Sequence, residues 1–202
     1  MTVPNPTLAL PARCLLVSYD AEANVSMPDH SFVEGSTLSI GWACFLWPEK
    51  TPFPRSFCQT TGHLAVIPRQ EMNSSARDFW NRHPTAYRAA TDDPISPQEA
   101  GAAFAKCVES LAKRYMLPIA LIARPHNFDA GHLFSLMQAV HLAETSKISW
   151  TWHDLVPTLA YHAGVTQKEA KARFTKHLPP LPHVADQDSY LQGLAFCRAL
   201  QT

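Results

Sequence analysis

The run Cys14-Leu-Leu-Val-Ser-Tyr19, stopping on Asp20 and Glu22, constrains this chain more than any other segment. It reads as a buried strand. Asp20 and Glu22 are two residues apart at its end, so both side chains point to the same side of the sheet. A polar loop from Asn24 to Ser36 follows, then a second apolar stretch from Thr37 to Leu46. A loop rather than a helix joins these two strands, which predicts an antiparallel meander. Arg55 to Thr60 reads as a short third strand.

Beyond this point the pattern becomes helical. Ser74 to Arg82 is a short helix candidate. Ser96-Pro97-Gln98-Glu99 combines a Ser cap, Pro at the first helical position and Glu three residues after the cap. Apolar residues then recur at Ala100, Phe104, Cys107, Leu111 and Tyr115, a helical stripe ending near Met116. Leu117 to Ala123 reads as a buried strand, followed by a loop over Arg124 to Phe128 and a helix from Asp129 to about Ala143. Ile148 to Trp152 is a last strand and Asp154 to Ala163 a helix. Thr166-Gln-Lys-Glu169 is a second capping box, and a final helix spans Ala185 to Leu200. Antiparallel strands followed by alternating strands and helices predict an α/β layered domain.

The length of 202 residues suits one domain, with residues 1–13 as a flexible leader and 14–202 as the folded unit. An apolar content of 46% with 17% charged residues argues for a globular protein and against disorder. The 17 prolines gather in loops such as Leu178-Pro-Pro-Leu-Pro182, so long ordered connections are expected. Net charge is zero, which excludes a chain that grips long duplex nucleic acid through dense Lys and Arg. Cys14, Cys44, Cys58, Cys107 and Cys197 are widely spaced with no C-x-x-C pair, and read as free thiols in a reducing compartment. No signal peptide is evident and no run approaches the ~20 apolar residues of a membrane span, so a cytoplasmic protein is expected.

Taken singly, the polar residues have bland readings. Asp20 and Glu22 can be solvated loop acids, and Asp129 an acid at the positive end of a helix. His183, in a proline-rich loop, and Asp188, early in the last helix, complete the set. Together, four carboxylates and one histidine are what a two-metal phosphodiesterase needs. The acids alone would repel one another and take up protons; a pair of cations removes that penalty and activates water against phosphate. A neutral imidazole beside them can accept the proton of that water. No H-E-x-x-H or other zinc-like spacing occurs, and none of the nine other histidines is assigned a metal.

These residues resemble the DEDDh family of 3′–5′ exonucleases, of the RNase T and oligoribonuclease-like superfamily. The matching segments are Val17-Ser-Tyr-Asp-Ala-Glu22 with Leu38-Ser-Ile-Gly-Trp-Ala43, His126-Asn-Phe-Asp129, and His183-Val-Ala-Asp-Gln-Asp188 followed by Gln192. Phe79-Trp80 with Pro84 and Ala86 resembles a branch of 3′–5′ exoribonucleases of bacteria and phages. The resemblance implies an RNase H-like fold with a five-stranded mixed sheet, and two Mg²⁺ or Mn²⁺ ions per site. Asp20, Glu22 and Asp188 would bind the catalytic ion, Asp20 would bridge to the second, Asp129 would hold that second ion, and His183 would be the general base. Single-stranded RNA or DNA 3′ ends are the implied partners, releasing nucleoside 5′-monophosphates, with no membrane; a homodimer is compatible. Ala23, Phe32, Leu38, Phe128 and Trp80 are the expected substrate wall. Base stacking is one role for Phe32, Phe128 and Trp80, and core packing competes with it. Lys168, Lys171, Arg173 and Lys176 either contact phosphates or form a solvated helix face.

The sequence departs from the family where Ala23-Asn24-Val25 replaces a glycine soon after the glutamate, and in the longer loop from Asn24 to Ser36. Asp186 competes with Asp188, though spacing from His183 favours Asp188. RNA is preferred over DNA only through the branch resembled. A DNA 3′-end proofreading or repair nuclease is the first rival, and a non-catalytic nucleic-acid-binding relative the second. Retention of all five residues speaks against the latter, and missing ligand spacing against a zinc hydrolase.

Overall fold

Strand β1 (Cys14–Ala23) is the middle of a five-stranded sheet in a computed structural model that describes residues 6–25, 27, 31–47, 58–140 and 147–200. Every residue from Cys14 to Tyr19 is buried, because helices cover both faces of the sheet. A strand so placed needs a continuous apolar run rather than alternation. On one side β2 (Thr37–Trp47) and β3 (Cys58–Ala65) extend the sheet antiparallel. On the other, β4 (Ile119–Ala123) and β5 (Trp150–Asp154) run parallel. With strand order β3-β2-β1-β4-β5 this is a five-stranded mixed sheet, as the resemblance implies.

Seven helices lie among the described residues: α1 (Ser74–Arg82), α2 (Pro84–Thr91), α3 (Pro97–Tyr115), α4 (His126–Ala139), α5 (Leu155–Ala163), α6 (Gln167–His177) and α7 (Ala185–Ala199). Leu15, Val17 and Tyr19 face Phe104 of α3 and Leu133 of α4 in one core layer. Leu16, Ala43 and Phe45 face Leu159 of α5, Phe174 of α6 and Phe196 of α7 in the other. A smaller cluster of Leu38, Ala76, Trp80, Ala86 and Ala90 seats α1 and α2 on the end of β2. None of the described helices is long and apolar enough to cross a membrane.

Both capping boxes form as the sequence indicates, with the hydroxyls of Ser96 and Thr166 accepting from the backbone N–H groups of Glu99 and Glu169. Elsewhere the structure moves boundaries. β3 runs Cys58–Ala65 rather than Arg55–Thr60, of which residues 55–57 lie outside the described residues. Helix α4 begins at His126, inside the expected loop, and ends at Ala139; residues 141–143 of the expected helix lie outside the described residues. β5 is shifted two residues along, so Asp154 pairs with Ala123 and its side chain caps α5. Helix α2 was not expected: its eight residues are too few for an apolar period to announce it.

The face of α3 also differs from its stripe. Ala100, Gly101, Phe104, Ala105, Val108 and Ala112 are buried, while Cys107, Leu111 and Tyr115 are only half-buried. Size decides here: a Cβ on Gly101 would meet the Leu136 carbonyl oxygen at 2.2 Å, so α4 packs on the smallest residues of α3. At the start of the chain, the Thr7 N–H donates to the Trp152 carbonyl at 2.8 Å and the Leu10 N–H to His162 Nε2 at 3.0 Å. Leu10 is buried in the core. All five cysteines are free thiols.

One close approach sets the site. Gly41 pairs with Asp20 across β1 and β2, and a Cβ there would meet the backbone of Ala185 and Asp186 at 2.0 Å. The first turn of α7 therefore rests directly on β2. Gly41→Val is expected to lower stability by about 1–3 kcal/mol through overpacking, seen as a lower urea midpoint at unchanged slope.

Candidate active site

The carboxyl ends of the parallel strands β1 and β4 open into a cleft of about 330 Å³ lined by Asp20, Glu22, Asp129, His183 and Asp188 together. Crevices at that edge are where open α/β sheets place their ligands. Asp20 and Glu22 extend from the face of β1 that α7 covers. Asp20 Oδ1 accepts from Gln192 Nε2 at 2.9 Å. Gln192 stands four residues after Asp188 and shares its helix face. Asp129 arrives from α4 on the opposite face, and its Oδ1 accepts the N–H of Ala21 at 3.1 Å. Three elements thus converge around the end of one strand.

His183 precedes α7 with a left-handed backbone, φ 58°. His is among the non-glycine residues that tolerate this region, at a modest local cost. Its ring centroid lies 5.0 Å from Phe79 and 4.6 Å from His83, both edge-on, so the junction of α1 and α2 seats the imidazole. Glu22, His183 and Asp188 each present an atom within 4.8 Å of the others.

Burial pushes the Asp20 carboxyl well above the ordinary range; Asp129, Glu22 and Asp188 add to it, against the Gln192 hydrogen bond. Glu22 is raised by burial, then by Asp188 and Asp129. Asp129 is pushed up to about 8 by burial, with the Ala21 N–H pulling back and Asp188 pushing further. Asp188 is pushed up to about 7, again by burial first, although the N–H groups of His183 and Val184 favour its anion. The His183 imidazole moves the other way, lowered by burial and then by His83. Near neutral pH the cation-free cleft therefore favours protons on its acids, with Asp188 the first to lose its own, and a neutral imidazole beside them.

Divalent cations fit this donor set. Asp129 Oδ2 and Asp188 Oδ1 are buried with no hydrogen-bond partner among the described residues. Buried carboxylate oxygens without partners are rare unless something else satisfies them. All-oxygen donors with one imidazole suit Mg²⁺ or Mn²⁺ better than the thiolate-rich or multi-histidine sets of structural zinc.

The remaining expected residues separate into two groups. Ala23, Phe128 and Trp80 line the cleft. Trp80 is buried and its indole N–H donates to the Ala23 carbonyl at 3.0 Å, so it fixes the end of β1 and has little ring surface to offer a base. Phe128 is half-buried, its ring held edge-on by His132 with centroids 4.6 Å apart. Phe32 and Leu38 are not part of the described cleft wall. Phe32 packs over Gly131 and against His132, and Leu38 is buried beneath α1 and α2. In both, apolar bulk is used for packing. Asp186 turns away from the cleft, with Oδ1 3.6 Å from His63 Nδ1, leaving Asp188 to face inward.

Asn24, the middle residue of Ala23-Asn24-Val25, ties segments together. Its N–H donates to Ser36, its side-chain amide to the Gln70 carbonyl, and its carbonyl accepts from Asn73. In the sequence Gln192 and Phe79 stand out only as parts of segments that resemble the family, and His83 and Arg124 not at all. Only Gln192 carried a usable signal, its i,i+4 spacing from Asp188; the others meet the site through tertiary packing alone.

No family model and no curated relative matches the chain. Among solved structures, it is similar to exonuclease X in complex with 5′ overhanging duplex DNA, over 93% of this chain and 91% of that one, at 14% sequence identity and a TM-score of 0.48. A likeness of that size carries no argument about chemistry, which rests on the side chains.

Proposed function

We propose that the chain is a divalent-cation-dependent 3′–5′ exonuclease that removes nucleoside 5′-monophosphates from single-stranded ends, RNA in preference to DNA. The observation that carries this reading is the meeting of four carboxylates and a neutral imidazole in one cleft, where two buried carboxylate oxygens have no hydrogen-bond partner among the described residues. Asp20, Glu22 and Asp188 would hold one cation, Asp20 would be shared with a second, and Asp129 would complete that second site. Cations bound there would supply the positive charge against which the phosphate's negative charge develops.

The protein's own groups do the rest. Gln192 holds one oxygen of Asp20 and so fixes the carboxylate's plane. His183 is uncharged at neutral pH and presents a ring nitrogen beside Glu22 and Asp188, where it can take a proton from water attacking phosphorus. The P–O3′ bond then breaks, the penultimate 3′ oxygen gains a proton, and the terminal nucleotide leaves. Phe128, Val25 and Met27 give the cleft an apolar wall for a terminal base. Its volume is at the small end of ligand pockets, which suits one terminal nucleotide rather than a duplex.

The test is incubation of 5′-labelled single- and double-stranded RNA and DNA of matched sequence with Mn²⁺. A ladder shortening one nucleotide at a time from the 3′ end, faster on single-stranded RNA, is expected. A faster ladder on DNA favours the repair-nuclease rival, internal cuts alone contradict exonuclease action, and binding without cleavage favours the non-catalytic rival.

A further inference from the structure

Among the described residues that line the cleft there is a single Lys or Arg, Arg124, set beside four carboxylates. It lies between β4 and α4, just before the turn that delivers Asp129. Its guanidinium carbon is 5.3 Å from the centroid of the Phe174 ring, and Phe174 is fully buried on α6. Such a contact attracts the cation to the ring face and uses none of the guanidinium's N–H donors in a hydrogen bond to it. Among the described residues Arg124 makes no ion pair within 4 Å, although its charge reaches the Asp154 carboxyl and favours its anion. Outward from Phe174, α6 carries Lys171 and Lys176 exposed and Arg173 half-exposed.

We propose that Arg124 binds the phosphate one step upstream of the scissile one and so sets the register of a single-stranded substrate in the cleft. This rests on the nuclease reading. A cleft of acids repels every phosphate that its cations do not neutralise, and the upstream phosphate lies beyond the carboxylate cluster. A braced guanidinium presents two parallel donors that match phosphate oxygens, which a lysine ammonium does not. Arg124 is thus a specificity-determining residue, and the chain leaves the cleft towards the basic face of α6.

Two measurements on Arg124→Gln and Arg124→Lys test this. With a tetranucleotide, Arg124→Gln is expected to raise KM about tenfold with kcat within about threefold, the loss of one bidentate phosphate contact. On the p-nitrophenyl ester of a nucleoside 5′-monophosphate, which lacks the upstream phosphate, KM is expected to stay unchanged. Second, binding of a fluorescent tetranucleotide is followed by anisotropy in a His183→Ala background with Mn²⁺. There the slope of log affinity against log salt should fall by about 0.7 in Arg124→Gln and be restored in Arg124→Lys. Equal KM increases on both substrates, or an unchanged salt slope, overturns the proposal. A wild-type protein inert on both substrates overturns the nuclease reading instead, and the salt slope still decides whether Arg124 meets a phosphate.

Discussion

Asp20→Asn is expected to cut phosphodiester hydrolysis by ~10³-fold, or ~4 kcal/mol of transition-state stabilisation, while making the cation-free protein more stable at pH 8. The two effects have one cause. Asparagine keeps an oxygen for Gln192 Nε2 to bond, so the local packing survives. It removes a carboxyl that burial and three neighbouring acids already make costly to ionise. Relief of that repulsion is expected to add about 1 kcal/mol, the usual gain when a strained functional group is neutralised. Opposite signs for activity and stability separate this from ordinary loss of structure, in which both fall. Thermal melts in EDTA, run beside the ladder assay, give both readings.

The second large effect is a pH dependence that cations reverse. Asp129 is pushed up to about 8 and Asp188 to about 7 in the fold, whereas unfolded aspartates lose their protons near pH 4. Between those limits the folded state holds more protons than the unfolded one. The derivative of unfolding free energy with pH is then negative, so stability is full below about pH 4 and is lost as pH rises through 7 to 8. The expected loss across that window is on the order of a few kcal/mol for the cation-free protein. Mn²⁺ should restore the melting temperature at pH 8 and release protons into an unbuffered solution near pH 7 as it binds. A cation-free protein that grows more stable from pH 5 to 8 would contradict this electrostatic picture.

Much of the architecture was legible because local signals agreed with one another. The apolar run ending at Tyr19, the Ser96 and Thr166 caps and the loop between the first two strands each pointed to the element that forms. What escaped was set by packing geometry. The buried face of α3 follows the small residues Gly101 and Ala105, not the most apolar stripe. Leu38 was expected at the cleft through the segment that resembles the family and Phe32 as a ring in a polar loop able to stack on a base, yet their bulk is used beneath α1 and over Gly131. Within the site, strand alternation put Asp20 and Glu22 on one side, but nothing local announced that α7 would settle on Gly41. That contact, visible only in three dimensions, brings Asp188 and Gln192 to Asp20.

Counting cations bound to the protein is the most direct check on whether the cleft is a metal centre. Equilibrium dialysis against Mn²⁺ at pH 8 should give two ions per chain for the wild type and fewer than one for Asp20→Asn combined with Asp188→Asn. Uptake below one ion by the wild type, or equal uptake by both proteins, would contradict the site as described.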